Sequence, residues 1–181
     1  MNYQTRKRKL PMKVKIKKLK RNAPIPYKAH PSDLCYDCVA VSEEQVAPNV
    51  WKYGLGIALQ IERDTETIVT STCYHGGKEM LHHTKIDFSR SPINLSIDAR
   101  PRSSVWKTGM ILSNCEGTID ENYTGEISAV FYHIMPDMPR YKVGDRVCQI
   151  KLGVALPMEF IEVEELDETD RGANGYGSSG R

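Results

Sequence analysis

Apolar positions along this chain come in short runs, cut every eight to twelve residues by Gly, Pro, Asn or Asp. Met12, Val14 and Ile16 alternate with Lys13, Lys15 and Lys17, the period-two signature of a strand with one face toward a core. Similar runs predict strands over 12–20, 36–42, 53–62, 67–74, 94–99, 109–113, 126–135, 146–153 and 159–164. No segment keeps a helical period. Many short strands at this spacing predict an all-β domain, a jelly-roll-like β-barrel or sandwich. Between apolar stretches, Asn114–Ile127 reads as a polar hairpin with Asp120–Tyr123 near its tip.

Charge changes the picture only at the ends. Residues 1–22 hold ten Lys/Arg and no acid, which leaves 15 bases against 23 acids in the rest. A basic arm invites a nucleic-acid reading, but alternation favours an edge strand guarded by lysines over 12–20. Residues 1–11 then form a disordered basic leader, and nucleic acid is not the expected partner. Residues 159–170 carry seven acids and read as a last strand entering a solvated linker. No apolar stretch is long enough to span a membrane. Five cysteines with no secretory signal fit reduced thiols and a cytoplasmic setting.

Five segments carry chemistry. Tyr36-Asp37-Cys38 sets a carboxylate at a strand start. Pro101-Arg102-Ser103-Ser104 is a tight turn with a cation and two hydroxyls. Asn114–Ile127 is the polar hairpin, and Gly144–Ile150 a turn leading into a strand. The last segment, Arg171–Arg181, combines two arginines, four glycines, Tyr176 and a Ser178-Ser179 pair. Glycines let backbone N–H groups face an anion, hydroxyls add donors, and arginine supplies a bidentate fork. Taken singly, each motif is more often an ordinary turn or a frayed tail than a site.

In this order, the strings PRSS, NxxGxIDxxYxGEI, GDRxxQ and RGxxGYGSSGR resemble the five motifs of the trimeric dUTPases, over about residues 12–61 and 94–181. The resemblance implies a homotrimer that hydrolyses dUTP to dUMP and pyrophosphate with Mg²⁺, at sites shared between subunits. It implies that Asp120 activates the attacking water, and that Tyr123 lies under the deoxyribose. Asn114 and the hairpin backbone, Gly117 included, would pair with uracil, and Tyr176 would stack on it. Arg102, Ser103, Ser104 and Gln149 would contact phosphates, as would Arg171, Gly177, Ser178 and Ser179 of the closing arm. Asp37 would hold Mg²⁺ through water.

Three departures stand out. Asn174 and Tyr176 replace a glycine and a phenylalanine of the usual arm, and Cys38 replaces a leucine. Residues 62–93 form a polar surface insertion of unassigned purpose, so the domain is expected over 12–170 with the arm at 171–181. Cys35-x-x-Cys38, near Cys73, His75, His82 and His83, raises a zinc question that packing answers more simply. Two rivals remain: a dCTP deaminase-like enzyme, and a regulatory protein that binds dUTP and acts on a partner.

Overall fold

The structure, a computed structural model, describes residues 12–63, 67–75, 78–86 and 93–174, with 67–75 and 78–86 described by backbone alone. Tyr176, Gly177, Ser178, Ser179 and the leader 1–11 lie outside the described residues. Twelve strands are described: β1 Lys13–Lys18, β2 Tyr36–Val39, β3 Ser42–Ala47, β4 Val50–Gly54, β5 Ile57–Glu62, β6 Thr67–His75, β7 Lys78–Ile86, β8 Asn94–Pro101, β9 Met110–Leu112, β10 Gly117–Asp120, β11 Ser128–His133 and β12 Arg146–Ala155. A 3-10 turn covers Val105–Thr108.

Two four-stranded antiparallel sheets form the body, in the orders β10-β8-β12-β2 and β3-β4-β11-β9. β1 pairs with β5, and β6 with β7. One buried cluster draws Ile97, Ala99, Val147 and Ile150 from the first sheet, Tyr53 and Phe131 from the second, and Leu59 and Ile61 from β5. This is a jelly-roll-type sandwich, its faces set by period-two alternation such as Leu95, Ile97 and Ala99 on β8. Tyr53, Phe131 and Tyr141 meet edge to face, with centroids 5.4–6.1 Å apart. The Tyr53 hydroxyl donates to the Tyr141 carbonyl at 2.7 Å.

Several expectations are corrected. The run 36–42 stops at Val39, and a hairpin of β3 and β4 follows, turning at Asn49 with φ 59°. Asparagine tolerates that left-handed conformation, and the sequence reading passed over it. The run 53–62 breaks at Gly56, whose φ is 65°. Asn114–Ile127 does not pair with itself: β10 goes to β8 in the first sheet, and β11 goes to β4 and β9 in the second. Residues 159–164 form no strand and stand exposed. The alternation there is real, but the described residues offer it no partner strand. Within 62–93, the unforeseen β7 pairs with β6 in unbroken register from Thr67↔Ile86 to His75↔Lys78.

Candidate active site

β2 and β12 build the first half of the site. Asp37 faces Gln149 across the β2–β12 ladder, and Arg100 faces Gln149 on the other side. A bulge between Arg146 and Cys148 leaves Val147 without a partner on β2. Val147 and Cys148 both sink into the core, fully buried. Arg146 is thereby turned toward Asp37, a re-aiming that bulges commonly provide.

Asp37 sits between two guanidinium groups. Arg102 Nε donates to Oδ1 at 2.8 Å and Nη2 to Oδ2 at 3.3 Å, while Arg146 Nη1 donates to Oδ2 at 3.0 Å. Arg102 Nη1 also reaches Ser104 Oγ at 3.2 Å. Three of the five N–H groups of Arg102 are thus committed, and two are left for an anion. Gln149 Nε2 donates to the Pro101 carbonyl at 2.9 Å, which ties β12 to the Arg102–Ser104 turn. That turn closes through Val105 N to Arg102 O and Lys107 N to Ser104 O, both 3.0 Å. A cleft of about 280 Å³ is lined by Asp33, Cys35, Asp37, Arg102, Ser103 and Gln149 among others. It brings together four of the residues named from the sequence. Arg146, which reaches Asp37, was not named as a candidate from the sequence, although it lies inside the quoted GDRxxQ string.

The second half lies on β10 and the turn after it. Asp120, exposed, ends β10 opposite Ser96. Tyr123 N closes the turn onto the Asp120 carbonyl at 3.0 Å. The Tyr123 hydroxyl donates to the Glu126 carbonyl at 3.1 Å, folding the half-exposed ring back over Gly125. A Cβ on Gly125 would come within 2.5 Å of Tyr123 Oη, so glycine is what lets the ring lie there. Glu126 Oε1 in turn accepts from Gly56 N at 2.8 Å. Asn114 packs near Gly117, where an added Cβ would meet its Nδ2 at 3.1 Å. Asp120, Tyr123, Glu126 and Ser128 line a separate cleft of about 230 Å³.

The two clefts share no lining residue. β2 and β10 are opposite edges of one sheet. Three interstrand spacings, plus four residues of strand rise, separate Asp37 from Asp120 by roughly 20 Å. Arg171, exposed, donates through Nε to the Asn174 carbonyl at 2.9 Å, a contact within its own segment.

Magnesium fits this donor set only indirectly. Both Asp37 oxygens already accept from arginine, and the described residues hold no cluster of three or more His, Cys, Asp or Glu. A hydrated ion carried by phosphates, with Asp37 accepting from one of its waters, suits such a carboxylate. Cys35 and Cys38 lie in different surroundings. Cys38 is buried in the core opposite Cys148, whereas Cys35 lines the anion cleft. The neighbouring Cys148 thiol, then burial, push the Cys38 thiol above its ordinary range.

A larger apolar cavity, about 400 Å³, shares no lining residue with either cleft and is lined by Met12, Val14, Ile16, Leu59, Ile97 and Ile150 among others. No helix among the described residues is long and apolar enough to cross a membrane.

Comparison with known proteins gives this geometry a family. The dUTPase family model matches residues 64–180. The deoxyuridine 5'-triphosphate nucleotidohydrolase of Clostridium novyi is 30% identical over 171 residues, covering 93% of this chain and 99% of the relative. That of Nautilia profundicola is 30% identical over 172 residues, covering 94% and 100%. Among solved structures, the Staphylococcus bacteriophage 80alpha dUTPase with dUPNHPP superposes with a TM-score of 0.67 at 19% identity, over 93% of this chain and 99% of that one. That likeness bears on the fold alone. A family-model match over most of the chain, with relatives that align nearly end to end, settles the assignment: this chain belongs to the dUTPase family.

Proposed function

We propose that the protein is a dUTP diphosphatase that acts as a homotrimer with Mg²⁺, in the cytoplasm, keeping uracil out of DNA and yielding dUMP. The observation that carries this reading is the anion cleft: two arginines, a serine and a glutamine arranged around one carboxylate on a rigid sheet. Membership of the dUTPase family supports dUTP as the molecule that cleft would take.

Each residue then has a task. Arg102, Arg146, Ser103, Ser104 and Gln149 bind the phosphate chain and neutralise its charge. Asp120 accepts a proton from a water as the water oxygen bonds to the α-phosphorus. The bond from that phosphorus to the bridging oxygen breaks, and pyrophosphate leaves with the electron pair. Magnesium, when bound, would add charge neutralisation on the phosphates, and Asp37 would hold it through water. The Tyr123 ring, held over Gly125, lies under the deoxyribose and leaves no space for a 2′-hydroxyl. Asn114, with the backbone at Gly117, reads uracil; cytosine would leave buried donors and acceptors unpaired. The arm, with Arg171, Tyr176, Gly177, Ser178 and Ser179, closes over base and γ-phosphate and excludes water.

Two observations support sharing of sites between copies. The anion cleft and the Asp120–Tyr123 cleft stand roughly 20 Å apart in one chain by strand spacing, so a single copy does not bring both to one nucleotide. Residues 156–166 also expose Leu156, Met158, Phe160, Ile161, Val163 and Leu166 at 55–89%. So much apolar surface on an extended segment calls for a partner.

The test is pyrophosphate release from dUTP, dCTP, dTTP and UTP with Mg²⁺, beside a protein truncated after Asp170. Release from dUTP alone, falling at least a hundredfold on truncation, is expected. Ammonia released from dCTP, or an active monomer, would overturn the reading.

A further inference from the structure

Arg63 and Ile93 flank the segment that separates β5 from β8 and contains the β6–β7 hairpin. Both stems meet at one guanidinium, which also holds the Glu121 carboxylate. Arg63 Nε donates to Glu121 Oε1 at 2.6 Å and Nη2 to Oε2 at 2.7 Å, a bidentate fork. The same Nη2 donates to the Ile93 carbonyl at 2.8 Å. Glu121 is the residue after Asp120 and, with Asn122, forms the centre of the turn closed by Tyr123 N on the Asp120 carbonyl.

Asp120 and Tyr123 are themselves exposed, and a two-residue turn between them has little packing to hold it. The bridge is different: its side chains are only 24% and 23% exposed, so solvent and salt screen it less than a surface pair. Two parallel N–H···O bonds also fix direction, which a single contact does not. The Arg63 hydrogen bonds hold the Glu121 carboxyl below the usual carboxylate range despite partial burial. It therefore stays ionised, and the fork stays closed, at neutral pH.

We propose that Arg63 and Glu121 are positioning residues for the reaction. By clamping both stems of the hairpin segment to the turn, they fix Asp120 and Tyr123 for attack at phosphorus and for contact with the sugar. This rests on the dUTPase reading above. It also gives the 62–93 segment a mechanical tie to the site: whatever displaces its stems displaces the turn.

The experiment compares Arg63→Gln, Glu121→Gln and the charge-swapped pair Arg63→Glu/Glu121→Arg with the parent. Glu62→Gln, which breaks the exposed neighbouring Lys15–Glu62 pair at 3.5 Å, serves as control. Steady-state kinetics with dUTP and hydrogen exchange at the Tyr123 amide are read on each. Expected are a kcat loss of about tenfold to a hundredfold in each single variant, KM within about twofold of the parent, and faster Tyr123 exchange. The swapped pair should recover most of both, and Glu62→Gln should match the parent. Unchanged kcat and exchange in the single variants would overturn the proposal. So would a loss equal in Glu62→Gln, or slowed turnover with an undisturbed Tyr123 amide. If the parent did not hydrolyse dUTP, the functional reading would fall while the exchange data still judged the clamp.

Discussion

The anion cleft and the Asp120 turn are built on opposite principles. Asp37, Arg102, Arg146 and Gln149 are held by sheet register and by one another, with the Asp37 side chain only 11% exposed. Asp120 and Tyr123 stand on a turn in solvent, held from behind by Gly125, Glu126 and Glu121. On the reading proposed above, charge would be bound where the backbone is stiff, and the proton moved and the sugar tested where single side chains decide the geometry. Losses in the cleft should therefore appear in phosphate affinity and stability together, and losses at the turn in turnover and selectivity alone.

The sharpest break is Asp120→Asn, which should lower kcat by about 10³-fold, the usual worth of a positioned base. Binding of a non-hydrolysable dUTP analogue should stay within a few-fold. Second is Arg102→Ala. It should reduce kcat/KM by about a hundredfold, and leaving Asp37 half-paired should destabilise the fold by about 1–3 kcal/mol. Kinetics and urea melts on the same sample check both. Gly125→Ala forces the Tyr123 ring aside, so discrimination of dUTP from UTP should fall by about tenfold, read as the ratio of kcat/KM values. Arg146→Lys keeps the charge but loses the fork, and about a fivefold rise in KM is expected.

The smallest effect is pH-dependent. Arg63 lowers the Glu121 pKa. At Asp98, burial opposes but loses to hydrogen bonds from Lys151 and Ser96, again lowering it. A depressed carboxylate contributes stability that is present above its unfolded value, about 4.3 for Glu and 3.9 for Asp. That stability fades as pH falls through the lower folded value. Thermal melts from neutral toward pH 3 should show stability falling, with a shallower fall in Glu121→Gln.

The candidate site was more legible than the scaffold: of the residues its motif strings named, Asp37, Arg102, Ser103 and Gln149 meet in one cleft, and Asp120 and Tyr123 in another. What stayed hidden depends on register across long separations. Nothing near Arg146 says that a bulge turns it onto a residue 109 positions away, nor does Arg63 announce a partner 58 residues downstream. The β3–β4 hairpin escaped because Glu43, Glu44 and Gln45 carry no apolar alternation and stand largely exposed. Residues 159–164 misled for the reverse reason: an amphipathic pattern needs a neighbour, and the described residues do not supply one.

Asp37 hydrogen-bonds both Arg102 and Arg146, so the protein itself holds the two guanidinium groups close together. On the proposed reading, such a pair would respond to adjoining phosphates, not to what is attached to them. Pyrophosphate, once released, would meet the same two arginines. The enzyme should therefore be slowed by its own inorganic product, competitively with dUTP and in the low-salt range where guanidinium–phosphate attraction is least screened. Its pace in a cell would then depend on how quickly that product is cleared.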